Sequence, residues 1–317
     1  MSETWPESFG DVTAEYGAAR TGAALVGPVH DLVWAVGSDA VSFLDGQLSQ
    51  DVASVQPGGV VRSLLLEPRG KLTALLWLLR GEGRVGMLCD AGTGPAVVES
   101  LDRFRFRVDC ELEIDARPVL GVWGPEAQVV TDAPDVGWVE RDGVVLARVD
   151  VGGLDRVVVV GRGADDLVGD GAVRAGRLAA TAVRVEAGEP VVGRDVDDGT
   201  IPQETGLVPE SVSFTKGCFL GQELVARIDS RGRVNRHLRG VAVVDTVVPP
   251  EGATLHADDR EVGTLTSVAE SLTVMAPVGL ALVRREVEPG DEVELRWEGG
   301  SARARVLRLP LDDFASA

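Results

Sequence analysis

Residue types that do chemistry crowd into one short stretch, from Ser213 to Arg227. An apolar-alternating lead-in, Val212 and Phe214, runs into Lys216-Gly217-Cys218. Gly221-Gln222-Glu223 then opens a helix whose buried side is Leu224, Val225 and Ile228. A cysteine beside a glycine turn, just ahead of a helix start, meets unsatisfied N–H groups and the positive end of the macrodipole, which favour a thiolate. Lys216 and Arg227 add positive charge to the same neighbourhood. The chemistry expected is that of a reactive thiol, Cys218, with Lys216 assisting. Lys216 also stands out by rarity, since 31 residues are basic and only Lys71 and Lys216 are lysine. In a chain so biased toward Arg, a lysine serving only as a solvated charge has little reason to persist. The alternative is a Cys and a Lys packed or solvated without function.

The elements that position such a site need a sizeable scaffold. At 317 residues the chain is long enough for two or three packed units. Its 44% hydrophobic and 26% charged residues are those of a soluble globular protein. No apolar run reaches the roughly 18–20 residues of a membrane span. The N-terminus, Met1-Ser-Glu-Thr-Trp-Pro-Glu, is acidic and lacks an apolar signal core, so a cytoplasmic location is expected. A net charge of −19 argues against broad nucleic-acid binding, which needs cationic surface. Cys89, Cys110 and Cys218 are odd in number and widely spaced, which disfavours a disulfide framework or a cluster held by this chain's own thiolates. His30, His237 and His256 show no ligand spacing either, so no metal site is expected.

In chain order, residues 11–20 read as a helix and Leu32–Val36 as a strand. Ser38 then caps a helix carrying Val41, Leu44 and Leu48. Ser63–Trp77 reads as a hairpin turning at Pro68 and Gly70. Arg84–Cys89 reads as a strand and Ala96–Leu101 as a helix. Cys89 and Cys110 sit in apolar runs, as inert core thiols do. Phe104–Ile114 alternates as a strand, and Val119–Trp123, Ala147–Val151 and Val157–Val160 continue the pattern. Glu186 falls in Ala179–Gly188, which reads as an otherwise apolar strand. Arg231, Arg233, Arg236 and Arg239 form a local basic run suited to a folate's glutamate tail, an acidic partner face or RNA; pairing with acidic neighbours explains them equally. From Arg239 onward, short strands with turn signals read as a small all-β barrel.

Lys216-Gly-Cys-x-x-Gly-Gln-Glu-x-x-x-Arg227 resembles the signature of the YgfZ family, folate-binding relatives of the glycine-cleavage T-protein (GcvT). Val33–Val52, the Pro68-x-Gly-Lys71 turn, Arg184-x-Glu186-x-Gly188 and Ile201-Pro-Gln-Glu204 resemble further segments of that family. The resemblance implies an α+β fold of two intertwined, ferredoxin-like lobes (residues 1–238) and a C-terminal β-barrel (239–317). It implies tetrahydrofolate, or a one-carbon derivative, bound in a crevice lined by Glu186 and the loops near Asp90 and Arg227, with Gln222 and Glu223 contributing. Glu186 would recognise the pterin ring, since one carboxylate can accept two parallel N–H bonds from a 2-amino-4-oxo edge. The alternative for Glu186 is an ion pair with Arg184 or Arg194. T-proteins carry an acidic residue that assists methylene transfer in the loop after the strand ending at Cys89. Here Pro95-Ala-Val-Val98 stands in that region, flanked by Asp90 and Glu99, which puts aminomethyl transfer in doubt. The expected function is support of iron–sulfur cluster assembly or repair in client enzymes, with a link to tRNA modification and Cys218 as the reactive group. A folate-dependent one-carbon transferase or demethylase, or a scaffold stabilised by folate, are the rivals.

Overall fold

In the computed structural model, which describes residues 5–311, chain order and spatial order diverge at once. Helix α1 (Val12–Thr21) leads to β1 (Ala24–Val26), whose partners lie far along the chain. A complete five-stranded sheet intervenes: β2 (His30–Val36), β3 (Val60–Leu66), β4 (Leu72–Arg80), β5 (Arg84–Asp90) and β6 (Glu111–Ile114), ordered β3-β4-β5-β2-β6. Helices α2 (Ala40–Gln47) and α3 (Gly94–Asp102) accompany it, and their buried sides join the sheet in one core containing Leu44, Leu76, Met87 and Leu101.

The second sheet takes β1 back with β7 (Val119–Trp123), β8 (Trp138–Arg141), β9 (Val144–Arg148), β10 (Arg156–Val160) and β11 (Val173–Arg174), ordered β11-β1-β7-β10-β9-β8. Short helices α4 (Ala127–Thr131) and α5 (Ala164–Gly169) belong to this lobe. Pairing is antiparallel except between β1 and β11. The first lobe thus interrupts the second, since β1 precedes the five-stranded sheet and pairs with β7 and β11 beyond it. Helices α6 (Arg177–Ala187), α7 (Pro202–Thr205), α8 (Val208–Ser211) and α9 (Gln222–Arg231) follow.

The barrel consists of β12 (Arg236–Val243), β13 (Thr254–Ala257), β14 (Arg260–Ser271), β15 (Ala276–Arg284), β16 (Glu292–Trp297) and β17 (Gly300–Leu307), closed in the order β12-β15-β14-β13-β16-β17. Closure leaves no unpaired strand edge. Alternate residues such as Val241, Val243, Leu255, Leu295, Ala304 and Val306 fill its interior.

Three sequence expectations are corrected. Ala179–Gly188 is helical, not a strand. Its buried residues Ala179, Ala182, Val183 and Glu186 follow the i, i+3, i+4, i+7 stripe of a helix face, and Gly188 (φ +75°) ends it in the left-handed conformation. Phe104–Ile114 is a strand only from Glu111. Arg105 bonds back to Asp102 (2.7 Å) and to the Cys110 carbonyl (2.9 Å), folding the segment into turns and leaving Phe106 77% exposed. Ser38 does not cap α2: Asp39 holds the cap position, and the Ser38 hydroxyl donates to Asp109 (2.6 Å). The first four residues of the acidic N-terminal stretch lie outside the described residues, as do 312–317 of the barrel segment. No helix among the described residues is long and apolar enough to cross a membrane.

Candidate functional site

The Lys-Gly-Cys stretch is a loop laid over the end of α2. The side chain of Lys216 is almost wholly buried, and its ammonium donates to the carbonyls of Asp45, Leu48 (3.1 Å) and Gln50 (2.8 Å) and to Asp45 Oδ1 (3.1 Å). Those carbonyls belong to the last turn of α2 and the loop beyond it, where a helix leaves acceptors unpaired and its dipole favours a cation. A compact ammonium with three donors fits between such oxygens, whereas a planar guanidinium does not. This accounts for a lysine in an arginine-biased chain. It also means that Lys216 shapes the loop rather than presenting its charge in solvent. The Ser213 N–H donates to Ser49 (2.9 Å) and the Leu220 N–H to Gly46 (3.2 Å), so the Phe43–Asp51 segment and the motif loop form one unit.

Cys218 is exposed on this loop, while Cys89 and Cys110 are buried. Burial pushes the Cys89 thiol up to about 12 and raises Cys110 as well. In α9, Val225 is buried and Leu224 and Ile228 are half-buried; Glu223 and Arg227 are exposed and Gln222 is partly so. Lys71, in the hairpin turn, donates to the Gly199 carbonyl.

A crevice of about 430 Å³ opens elsewhere, between the two sheets and α6. Its walls include Trp5, Trp123, Val192 and Arg177, and its floor is polar: His30, Asp90, Arg156 and Glu189. Asp90, at the end of β5, accepts the Val192 N–H at Oδ2 (2.8 Å). Burial raises its carboxyl to about 7; the Val192 N–H opposes the shift, Glu189 adds to it, and Arg184 and Arg62 lower it. Glu189 accepts from Arg62 (3.0 Å) and, through both oxygens, from Arg156. Burial would raise Glu189, but Arg156 and Arg62 outweigh it and hold the carboxylate at about 2. His30 is 8% exposed; burial and then Arg156 push it down to about 4, so it is neutral at pH 7.

Among the expected binding residues, the structure brings only Asp90 to this crevice. Glu186, Gln222, Glu223 and Arg227 do not line it. Glu186 is 1% exposed and accepts from the Tyr16 hydroxyl (2.7 Å) and from Arg20, pairing with neither Arg184 nor Arg194. Arg184 instead donates to Asp195 (2.8 Å), the Glu189 carbonyl (2.6 Å) and Ser267 of β14 (2.6 Å), tying α6 to the barrel. In the basic run, Arg236 pairs with Glu204 (2.8 Å), Arg239 is half-buried and Arg233 is exposed.

Sequence reasoning missed His30, Arg62, Arg156 and Glu189. A signal was present for the arginines: Arg62 and Arg156 stand beside apolar β-runs, Leu64–Leu66 and Val157–Val160. Each is buried and each lies against a tryptophan, Arg62 over Trp77 (4.9 Å) and Arg156 over Trp123 (5.5 Å). A buried arginine needs a buried acid, and Glu189 supplies it.

Residues 236–313 match the glycine cleavage T-protein C-terminal barrel domain. The chain is 26% identical to the aminomethyltransferase of Geobacillus sp. (strain WCH70), over 96% of this chain and 91% of that protein. It is 28% identical to the aminomethyltransferase of Rubrobacter xylanophilus, over 96% and 87%. Glycine cleavage system aminomethyltransferase T from Bartonella henselae superposes with a TM-score of 0.86 at 25% identity, over 95% of this chain and 89% of that one.

Proposed function

From the premise of a GcvT-like protein of the aminomethyltransferase superfamily, complete with the C-terminal barrel, we propose that this chain binds tetrahydrofolate or a one-carbon derivative in the crevice at Asp90. The observation that carries the reading is the crevice itself. It is large enough for a ring system, walled by Trp123 and Trp5, and floored by buried polar groups that include His30, whose Nδ1 has no partner among the described residues. An unpaired buried polar atom is what a polar ligand would satisfy. His30 and Asp90 would meet the ligand's polar edge, and Trp123 would border its flat face. The folate, when bound, would supply a one-carbon carrier.

The use of that folate is support of iron–sulfur enzymes in the cytoplasm, with Cys218 as the reactive group. Exposure of Cys218 on a braced loop favours this, as does the apolar character of Pro95–Val98, where Val97 is buried in the lobe core. A proton-transferring group typically supplies about 10²–10⁴-fold in rate, and residues 95–98 offer none. A second reading, folate-dependent one-carbon transfer, is favoured by the relatives named aminomethyltransferase.

Two measurements separate these readings. Purified protein supplied with methylene-tetrahydrofolate, ammonia and a dithiol carrier should show no glycine-cleavage turnover. Replacing Cys218 by Ser in cells should weaken client iron–sulfur enzymes while tetrahydrofolate binding persists. Turnover comparable to a T-protein would establish the second reading instead.

A further inference from the structure

Two polar groups on the crevice floor are uncommitted. The His30 ring has no hydrogen bond among the described residues, and its Nδ1 is sealed from solvent. Asp90 accepts the Val192 N–H at Oδ2, and its Oδ1 has no donor among the described residues. The two residues stand directly opposite one another in the β2–β5 ladder. Such cross-strand neighbours on one face have Cβ atoms about 4.5–5.5 Å apart, so both can reach one edge of one ligand. The other acids near the crevice are already engaged: Glu189 by Arg62 and Arg156, and Glu186 by Tyr16 and Arg20.

We propose that Asp90 and His30 together read the lactam edge of a planar nitrogen heterocycle, Asp90 accepting its N–H and neutral His30 donating to its carbonyl, with Asp90 releasing a proton as the ligand binds. This deepens, and rests on, the folate reading, because a 2-amino-4-oxo pteridine carries such an edge. The charges acting on Asp90 are Glu189 from the segment after α6, Arg184 from α6 and Arg62 from β3, and the titratable His30 faces it from β2. Arg156 of β10 and Arg194 also line the crevice. With its carboxyl at about 7, Asp90 is part protonated at neutral pH. A ligand N–H favours the carboxylate, so binding expels the remaining proton to solvent. The sign follows: affinity rises with pH through 7 and levels off above it. Below 7 it falls by up to about tenfold per pH unit.

Calorimetric titration of the full chain with (6S)-tetrahydrofolate, in two buffers of different ionisation enthalpy, counts that proton. Wild type should release roughly half a proton near pH 7 and bind about tenfold or more tighter at about pH 8 than at about pH 6. Asp90→Asn should release none and bind with no pH dependence, within a few-fold of wild type at the acid end and about tenfold weaker at the alkaline end. Asp90→Ser replaces it if the Asn variant does not fold. His30→Leu should lose roughly fivefold or more at every pH while the proton count survives. Binding by wild type without proton release, or release unchanged in the Asp90 variants, overturns this proposal and leaves the folate reading standing. No binding by wild type overturns both.

Discussion

Gly70 and Gly221 stand back to back, each excluding a side chain from the other. A Cβ on Gly70 would lie 3.0 Å from the Gly221 carbonyl oxygen, and a Cβ on Gly221 would lie 3.0 Å from the Gly70 Cα. Both backbones are left-handed, with φ of +74° and +81°. The contact presses the β3–β4 turn onto the start of α9, so the Pro68-x-Gly-Lys turn and the Gly-Gln-Glu step form one junction.

Either Gly70→Ala or Gly221→Ala should therefore destabilise the fold by about 1–3 kcal/mol, from backbone strain plus the close contact. Urea denaturation measures this. A loss no larger than that of an exposed control such as Gly169→Ala, which meets nothing within 4 Å and has no positive φ, would show that the junction yields freely.

Glu186 has its acceptors filled by Tyr16 and Arg20 inside the fold. Glu186→Gln should lower stability by about 1–3 kcal/mol and leave tetrahydrofolate affinity of the folded variant nearly unchanged. An affinity loss of about 5- to 150-fold in a variant as stable as wild type would return Glu186 to the pterin edge.

Acid stability depends on three floor residues with opposing signs. Glu189, at about 2 against an ordinary 4.5, contributes stability that is present above about 4.5 and is lost as pH falls toward 2. His30, at about 4 against an ordinary 6.5, contributes stability lost as pH falls from 6.5 to 4. Asp90, at about 7 against an ordinary 3.8, acts the other way, and its contribution fades as pH rises toward 7. Asp90→Asn should accordingly gain stability over wild type progressively between about pH 4 and 7. A constant difference across that range, measured by denaturation at each pH, contradicts the burial assigned to Asp90.

Alkylation read by mass spectrometry near neutral pH should label Cys218 at least about tenfold faster than Cys89 or Cys110, which are buried and shifted upward. Lys216→Arg should cost about 1–3 kcal/mol, because its carbonyl partners lose a donor of the right shape. Equal labelling of all three thiols would count against Cys218 as the reactive group. A neutral Lys216→Arg exchange would count against the loop-bracing role.

The barrel, the hairpin, the amphipathic α1 and the start of α9 were legible because local pattern and turn chemistry agree there. The motif's chemistry was legible as a set of residues but not as an arrangement. Lys216 and Cys218 are two positions apart in sequence, yet one is buried against α2 and the other faces solvent. In sequence Glu186 reads as a strand residue, because Val183 and Val185 imitate alternation. The stripe through Ala179, Ala182 and Val183 decides for a helix, and Gly188 fixes its end. The crevice was illegible because its floor is gathered from β2, β5, β10 and the segment after α6, with Arg62 of β3 behind Glu189. No window of sequence contains two of its three charged partners Arg62, Arg156 and Glu189.

The interruption of the second lobe by the first also orders events on the ribosome. Residues 30–114 can pair as a finished sheet while β1 still waits for β7 and β11, and the Tyr16–Glu186 contact waits longer for Thr273 of the barrel, which reaches the same hydroxyl. Contacts this distant in sequence slow folding through loop-closure entropy. Helix α1 is thus made before the elements that hold it and secured only with the last of them, and a nascent chain released before the barrel emerges would carry Tyr16 without its final partner.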